Sequence, residues 1–277
     1  MKYLLSLFLC LMMGITAPAA HAANSKRVVE VRIASSDKKA GQHSSGTAFL
    51  INSENTWLTA RHVVEGCKNI YLSSQFATTY TNRRTNNVTK SRFIPAKLKA
   101  LDSRSDSALL VAEGDFSNKQ PQPLTLGKPY QKLKKGDAGF IIGYPKGEHG
   151  EVALHFEKRV LAEQAFPNGI IHYEMDKWSI EKRNTATNAN QGLSGGPVIN
   201  HQGAVVGINA AGLNKSRRFL GSSSTVPLDA LHAFLKKHRL HRSLSRHPNG
   251  FINQLSYKNI GRNMRKNQQV VKVFCER

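Results

Sequence analysis

Short apolar stretches recur along the chain, and several of them alternate hydrophobic and polar positions. Clusters of glycine, asparagine, aspartate and proline separate these stretches at roughly even intervals, a pattern that predicts an all-β sandwich or barrel. The predicted strands cover residues 27–34, 46–51, 69–73, 93–101, 107–112, 138–144, 151–163, 169–175, 196–200 and 204–210. A proline-rich segment at residues 120–130 divides them into an earlier and a later half.

One segment near the C-terminus has the period of a helix. Pro227 suits a first helical turn, and four apolar residues between positions 228 and 235 share one face, which predicts a helix over residues 227–240. Further on, QQVVKVF at residues 268–274 is a short β-prone stretch able to pair along an exposed sheet edge.

The first residues predict export. Lys2 precedes an apolar run over residues 4–15, and small residues ending at Ala22 follow in an A-x-A pattern. This pattern is typical of a secretory signal peptide at residues 1–22 and is too short for a membrane span. Cys10 leaves a lipoprotein signal as an alternative, although the residues before it are bulky. No later stretch reaches 18 consecutive apolar residues, so we expect no transmembrane segment and a periplasmic or secreted protein.

Charge is strongly unbalanced. The chain has 40 Lys and Arg against 18 Asp and Glu, a formal net charge of +22. Such a charge attracts polyanions of any kind, including nucleic acid, anionic envelope polymers and acidic substrates, and it does not indicate a fold. Residues 241–277 form a basic extension with a single acid, Glu276. This extension is either a solvated segment or an attachment to an anionic polymer or surface.

Two cysteines remain after the signal peptide, Cys67 and Cys275. In an exported protein a pair of thiols most simply forms one disulfide, which would hold the end of the chain against its first third. Two free thiols or an intermolecular link are the alternatives.

Three residues in recognisable surroundings suggest nucleophilic chemistry. Ser194 lies in the turn GLSGG, His62 follows a predicted strand that ends in small residues, and Asp106 heads an apolar strand. Each residue alone has an ordinary structural explanation. As a set they meet a chemical need, because a serine hydroxyl requires a base within hydrogen-bond reach and a carboxylate that fixes the tautomer of that base. This chemistry requires no cofactor and no metal ion.

Five motifs resemble those of the chymotrypsin-fold (trypsin-like) serine proteases. They are SSGTAFLI, TARHVV, DSALL, GYP and GLSGGPV, and the resemblance spans roughly residues 27–240. It is to the bacterial branch that includes the HtrA-type proteases and the glutamyl endopeptidases. The serine and histidine motifs are specific, whereas the aspartate motif alone is weak.

The resemblance implies two six-stranded antiparallel β-barrels with the active site between them. The protease domain is then residues 23–240, with a first barrel at about 27–120, a second at about 121–226, and the helix at 227–240. The basic extension follows, and it is too short for the PDZ module that HtrA proteases carry.

The resemblance also implies residue roles. Ser194 is the nucleophile, His62 the general base and Asp106 the orienting carboxylate, with Asp102 as the competitor for that last role. The backbone N–H groups of Gly192 and Ser194 form the oxyanion hole.

The chain departs from the animal digestive enzymes at Leu193, where they have an aspartate that pairs with a newly cut N-terminus. Activation by a freed terminal ammonium is therefore not expected, or else Leu193 favours a collapsed oxyanion loop. At the pocket floor the resemblance places Asn188, which disfavours Arg or Lys before the cut. Asn209 stands where glutamyl endopeptidases carry a histidine, and it forms the pocket wall and substrate-pairing edge strand with Ala210 and Ala211. The sequence thus predicts a neutral, small or medium aliphatic residue before the cut.

Two functions remain from the sequence. The first is an exported serine endopeptidase that acts on a protein or peptide substrate through an acyl-enzyme. The second is a protease-fold binding protein with weak or lost hydrolysis, whose basic surface binds anionic polymers. The presence of all three catalytic residues and the glycine turn favours the enzyme.

Overall fold

The computed structural model describes residues 29–33, 43–74, 93–102, 104–114, 121–166, 169–185, 191–213, 221–240 and 250–277. The predicted signal peptide, Asn188 and the start of the basic extension lie outside these ranges. The strands are β1 Val29–Ile33, β2 Ser44–Leu50, β3 Thr56–Thr59, β4 Asn69–Ser73, β5 Phe93–Leu101, β6 Ala108–Ala112, β7 Ala138–Gly143, β8 Gly150–Phe166, β9 Gly169–Thr185, β10 Pro197–Asn200, β11 Val205–Leu213, β12 Ser222–Pro227 and β13 Val270–Glu276. The helices are α1 Arg61–Val64, α2 Leu228–Lys237 and α3 Tyr257–Lys266, with a 3₁₀ turn at Pro145–Gly147.

The first barrel is closed and antiparallel, with the strand order β13-β2-β3-β6-β5-β4. Its strands carry large apolar side chains that are fully buried, among them Phe49, Trp57, Leu58 and Leu110. β13 pairs with β2 on one side and with β4 on the other. Closure leaves no free strand edge in this sheet, which is how a barrel avoids unwanted pairing.

The second sheet has the order β1-β8-β7-β10-β11-β12-β9, and a further β8–β9 pairing closes six of its strands into a ring. β1 is added to the outside of this ring, parallel to β8. A single apolar core includes residues of both barrels, for example Phe49 and Leu110 of the first and Phe140 and Ile208 of the second. The two-barrel, all-β prediction is therefore confirmed.

The strands at the two ends of the described chain, β1 and β13, pair differently from what the predicted boundaries imply. Those boundaries assign residues 27–34 to the first barrel, whereas β1 pairs with β8 of the second. They also place residues 241–277 outside the protease domain, whereas β13 supplies the sixth strand of the first barrel. Without β13, both β2 and β4 would present unpaired edges. Which distant segments pair is decided by the tertiary structure, and local hydrophobic periodicity does not encode it.

The basic extension also contains a helix that the sequence pattern did not predict. α2 matches the predicted helix, with its four apolar residues buried against the second barrel. α3 buries Tyr257 and Met264, and its Gly261 lies so close to β8 that a methyl group there would lie 2.6 Å from the Glu151 side chain. The buried Arg265 of α3 forms an ion pair with the buried Glu151.

Cys67 and Cys275 form the predicted disulfide, with their Cα atoms 5.5 Å apart across 208 positions of sequence. The bond joins the segment after α1 to the end of β13, so the pairing prediction is confirmed. Among the described residues, no helix is long and apolar enough to cross a membrane.

Candidate active site

His62 and Asp106 are brought together by the pairing of β3 with β6. Thr59 at the end of β3 lies opposite Ala108 at the start of β6. The residues just beyond one strand and just before the other therefore emerge at the same edge of the barrel. α1 begins immediately after β3 and carries His62 in its first turn. The local fold thus places the imidazole beside the carboxylate.

The Asp106 carboxylate makes two hydrogen bonds to His62. One oxygen lies 2.6 Å from His62 Nδ1, and the other accepts from the His62 backbone N–H at 2.8 Å. The Asp106 side chain is fully buried, while that of His62 is 22% exposed. A hydrogen bond to the carboxylate requires a proton on Nδ1, so in the neutral imidazole Nε2 is the nitrogen that can accept.

Asp102, the competing carboxylate, has other partners. Its side chain accepts from the Ser105 hydroxyl at 2.6 Å, and its carbonyl oxygen accepts from Arg61 at 3.0 Å. These contacts hold the loop before β6. Asp106, and not Asp102, is therefore the carboxylate that bonds His62.

The turn that carries Ser194 requires glycine at two positions. Gly192 has φ +94° and Gly195 has φ +86°, backbone angles that other residues rarely adopt. Side chains at these positions would also collide with the backbone, at the Tyr144 carbonyl for Gly192 and at the Thr47 carbonyl for Gly195. The tight turn is therefore held between β2 on one side and the Tyr144 segment on the other.

The peptide before Gly192 is oriented by a hydrogen bond. The Gln191 carbonyl oxygen accepts from the Lys146 N–H at 2.6 Å. Because carbonyl and N–H point in opposite directions across a trans peptide, the Gly192 N–H points away from Lys146. Among the residues that the structure describes, neither Gly192 N–H nor Ser194 N–H donates to a protein acceptor. Both donors are therefore available for an oxyanion.

Ser194 itself is partly exposed, and its hydroxyl lies 3.5 Å from the Ala210 carbonyl oxygen. No hydrogen bond joins this hydroxyl to His62 in the structure.

Asn209, Ala210 and Ala211 were expected to form the pocket wall and the substrate-pairing edge strand, and the structure places the Asn209 side chain differently. Asn209 is only 1% exposed, and its carboxamide oxygen accepts from the Ser223 hydroxyl inside the second barrel. Ala210 is buried, and a bulge follows Asn209 where β11 pairs with β12. Ala211 lies opposite Ser224 in that pairing. The Asn209 side chain is thus held by Ser223 and is not available to contact a substrate.

Leu193 is buried within the apolar core of the second barrel, together with Ile141, Val152 and Trp178. The side chain next to Ser194 is therefore anchored by apolar contact.

Thr47 is a functional residue that sequence reasoning missed. Its hydroxyl donates to the Gly192 carbonyl at 2.7 Å and accepts from the Tyr144 N–H at 3.2 Å. Its backbone N–H donates to the Ser194 carbonyl at 2.8 Å. Thr47 directly precedes the apolar residues Ala48, Phe49 and Leu50 of β2, and a polar residue at such a position is the signal that could have identified it.

A second missed residue, Tyr173, reaches the site from the second barrel. It lies on β9 and is almost completely buried. Burial raises the pKa of Tyr173, and the nearby Asp106 carboxylate raises it further. The phenol therefore stays neutral beside the aspartate, and the long β8–β9 hairpin contributes to the surroundings of the first-barrel site.

Comparison with known families agrees with this geometry. The family model described as "Trypsin-like peptidase domain" matches residues 46–208, a range that contains His62, Asp106 and Ser194. The chain belongs to the trypsin-like peptidase family. Two proteins named "Probable periplasmic serine endoprotease DegP-like" are relatives. One, from Hahella chejuensis, is 31% identical over 190 residues, which cover 67% of this chain and 34% of the relative. The other, from Pseudomonas putida, is 29% identical over 196 residues, which cover 70% and 34%.

The trypsin-like chain thus spans about one third of the length of these curated relatives. Among solved structures, the active form of the Rv3671c protease from M. tuberculosis has a TM-score of 0.51 at 18% identity, covering 73% of this chain and 75% of that one. Its inactive form has a TM-score of 0.50 at 19% identity, covering 70% and 86%. These likenesses concern the fold alone.

Proposed function

We propose that this protein is an exported serine endopeptidase in which Ser194, His62 and Asp106 form a catalytic triad. The observation that carries the proposal is the fully buried Asp106 carboxylate, which bonds both Nδ1 and the backbone N–H of His62. A buried carboxylate in this position is costly unless it is paired. Its pairing with a partly exposed imidazole, together with a serine held in a glycine turn, favours nucleophilic catalysis.

The chemistry assigned to each residue follows from its surroundings. His62 Nε2 takes the proton of the Ser194 hydroxyl as that oxygen attacks the carbonyl carbon of the substrate. The N–H groups of Gly192 and Ser194 bind the oxygen that becomes negatively charged. His62 then protonates the departing amine. In the second half of the reaction His62 takes a proton from a water molecule that attacks the acyl-enzyme, and it returns that proton to the Ser194 oxygen as the acid product leaves. Asp106 keeps the imidazole in the required tautomer throughout.

The cellular location proposed for the protein is the periplasm or the exterior of the cell. The signal-peptide pattern at residues 1–22 predicts export, and both relatives above are named periplasmic. The Cys67–Cys275 disulfide suits an oxidising compartment.

For substrate choice we retain the prediction of a neutral, small or medium aliphatic residue before the cut. Ala210 and Ala211 lie on β11, the strand to which the substrate main chain is expected to add. Substrate profiling with a peptide library checks this, and dominance of Arg, Lys or Glu before the cut would contradict it.

The catalytic assignment is tested with the mature wild-type chain and its Ser194→Ala variant. We expect the wild type to cleave casein or a fluorogenic peptide and to be labelled by a serine-reactive covalent probe. Loss of the nucleophile should abolish both signals without changing the thermal unfolding midpoint. An unlabelled, inactive wild type that is fully folded would instead indicate a protease-fold binding protein.

A further inference from the structure

Exposed positive charge borders the oxyanion loop on the side opposite β11. Lys146 lies in the turn at Pro145–Gly147, and its side chain is exposed. Its backbone N–H is the group that bonds the Gln191 carbonyl at 2.6 Å. A methyl at Gly192 would lie 3.0 Å from this same nitrogen. Lys146 is therefore in direct contact with the peptide that provides one of the oxyanion donors.

α3 presents a second set of cations. Lys258, Arg262 and Lys266 follow one another at a spacing of four residues, which places them along one helix face. Arg262 and Lys266 are exposed. Arg265, in contrast, is buried and neutralised by Glu151. Within the described part of the chain, no ion pair involves these three aligned cations.

His149 connects the two sets. Its ring packs edge-on against Tyr144, with ring centroids 5.5 Å apart. Partial burial lowers the pKa of His149, and the positive charges of Arg265 and Arg262 lower it further. The same imidazole therefore lies near α3 and near the segment that holds Gly192. We call Lys146, His149 and Arg262 the basic lip. Glu148 is the one carboxylate in the sequence of this turn, so the lip keeps a positive balance.

The position of the lip relative to a bound peptide follows from the hydrogen bonds of the serine turn. Gly195 N–H donates to the Asn209 carbonyl at 2.7 Å, so β11 lies on one side of the turn. The Lys146–Gln191 bond places the lip on the other side. A peptide whose residues before the cut pair with β11 must continue past the oxyanion hole on the lip side.

We propose that the basic lip binds carboxylate side chains on the C-terminal side of the scissile bond, so that acidic residues there favour cleavage. This inference rests on the proposed function, and it names a substrate class for the part of the cleft that the β11 pocket does not cover. Charge complementarity of this kind acts mainly on encounter and orientation and is screened by salt. The β11 side, lined by small neutral residues, provides no comparable preference.

The experiment uses peptides that share one neutral sequence before the cut and differ after it. One carries paired Asp or Glu residues, a matched peptide carries Asn and Gln, and a third carries Lys. We expect kcat/KM for the acidic peptide to exceed that for the amide peptide by roughly three- to tenfold at low salt, the size expected of exposed charge pairs. This ratio should shrink toward one at about 0.5 M salt.

Variants of the lip locate the effect. Lys146 has φ +49°, so Lys146→Asn is the suitable neutral change, because asparagine tolerates this conformation better than most residues. Arg262→Gln removes the exposed α3 charge that acts on His149. Each should reduce the acidic-to-amide ratio about two- to threefold, while Lys146→Arg should preserve it. Lys236→Gln, on the exposed face of α2, is the matched control and should leave the ratio unchanged.

Binding to the Ser194→Ala variant gives a readout that does not depend on turnover. Fluorescence anisotropy should show tighter binding of the labelled acidic peptide than of its amide counterpart, and Lys146→Asn should reduce this difference about two- to threefold. Equal affinity and equal kcat/KM for the two peptides would overturn the inference, and cleavage of both would leave the proposed function intact. If Lys236→Gln lowered the acidic-to-amide ratio by the same factor, the preference would arise from net charge and not from the lip. That result would also overturn the inference. Binding of dextran sulfate to the lip without discrimination among peptides would assign the surface to a polyanion instead.

Discussion

At the scale of single residues, the candidate site depends on a threonine as well as on the triad. The Thr47 hydroxyl is shared between the Gly192 carbonyl and the Tyr144 N–H, and its own carbonyl accepts from the Thr59 hydroxyl at 2.7 Å. The bond to Gly192 ties the first-barrel strand β2 to the turn that carries Ser194, and the bond from Thr59 ties β2 to β3. A catalytic turn held this way keeps its donors oriented before substrate arrives.

We predict that Thr47→Val lowers kcat about ten- to a hundredfold with little change in KM, because small displacements of an oxyanion donor cost up to about 10²-fold. The substitution keeps the shape but leaves two backbone groups without their partner, at an expected cost of about 1–3 kcal/mol in unfolding free energy. Peptide hydrolysis and thermal unfolding measure the two effects.

Thr47→Ser is the control, because it retains the hydroxyl and should keep most of the activity. A Thr47→Val protein with full kcat and reduced stability would show that the hydroxyl is only structural.

At the scale of secondary-structure elements, α3 and β13 make the C-terminal residues part of the protease fold. α3 is attached to β8 by the buried Arg265–Glu151 ion pair, and Glu151 also accepts from Asn184 of β9 at 2.5 Å. β9 leads directly into the segment that contains Asn188. The helix thus supports the strand that leads toward the predicted pocket floor.

We predict that Arg265→Met destabilises the protein by about 3–5 kcal/mol, since it leaves a buried carboxylate without its cation. The double variant Glu151→Gln with Arg265→Met should recover part of this loss, because no unpaired charge then remains buried. Chemical denaturation of the wild type, both single variants and the double variant measures this coupling.

The exposed neighbour Lys266→Met serves as the control and should change stability by no more than about 0.5 kcal/mol. Strictly additive losses in the double-mutant cycle would mean that the two charges do not depend on each other.

At the scale of the whole molecule, the disulfide fixes the last strand to the barrel that carries His62. It joins residues separated by 208 positions, so β13 and the segment after α1 stay together even when the chain between them fluctuates. β13 also pairs along both of its edges. The covalent bond and the strand pairing therefore act on the same closure of the barrel.

We predict that Cys275→Ser lowers the unfolding free energy by about 2–5 kcal/mol, as expected when a long loop is no longer closed in the unfolded chain. Activity at low temperature should survive in part, because the pairing of β13 with β2 and β4 remains. Thermal unfolding and peptide hydrolysis of the same sample measure both, and mass spectrometry of the unreduced digest should show the linked peptides in the wild type.

Removing both cysteines should cost no more than removing Cys275 alone. Two free thiols in protein collected from the exported fraction would contradict the disulfide and leave the triad assignment unaffected.

Most strands and the three candidate catalytic residues can be predicted from the sequence, because each has a characteristic pattern among its neighbours in the chain. Apolar alternation predicts β5 over residues 93–101, which is where the structure has it. His62, Asp106 and Ser194 are recognisable because each lies beside a strand end or a glycine turn of distinctive composition. The α2 face follows from its 3.6-residue period.

Other features depend on partners distant in sequence, and only the tertiary structure decided them. β12 has the composition SSSTVP, which suggests a loop, yet Ser223, Ser224 and Thr225 are buried. The strand pairs with β11 and β9, and Thr225 accepts from the Trp178 ring N–H at 3.0 Å. Asn209 is turned into the barrel by Ser223. β1 and β13 join their barrels because strands distant in sequence offer them unpaired edges. Backbone N–H and C=O groups at a buried edge must be hydrogen-bonded, and a distant segment of the chain can supply the partner.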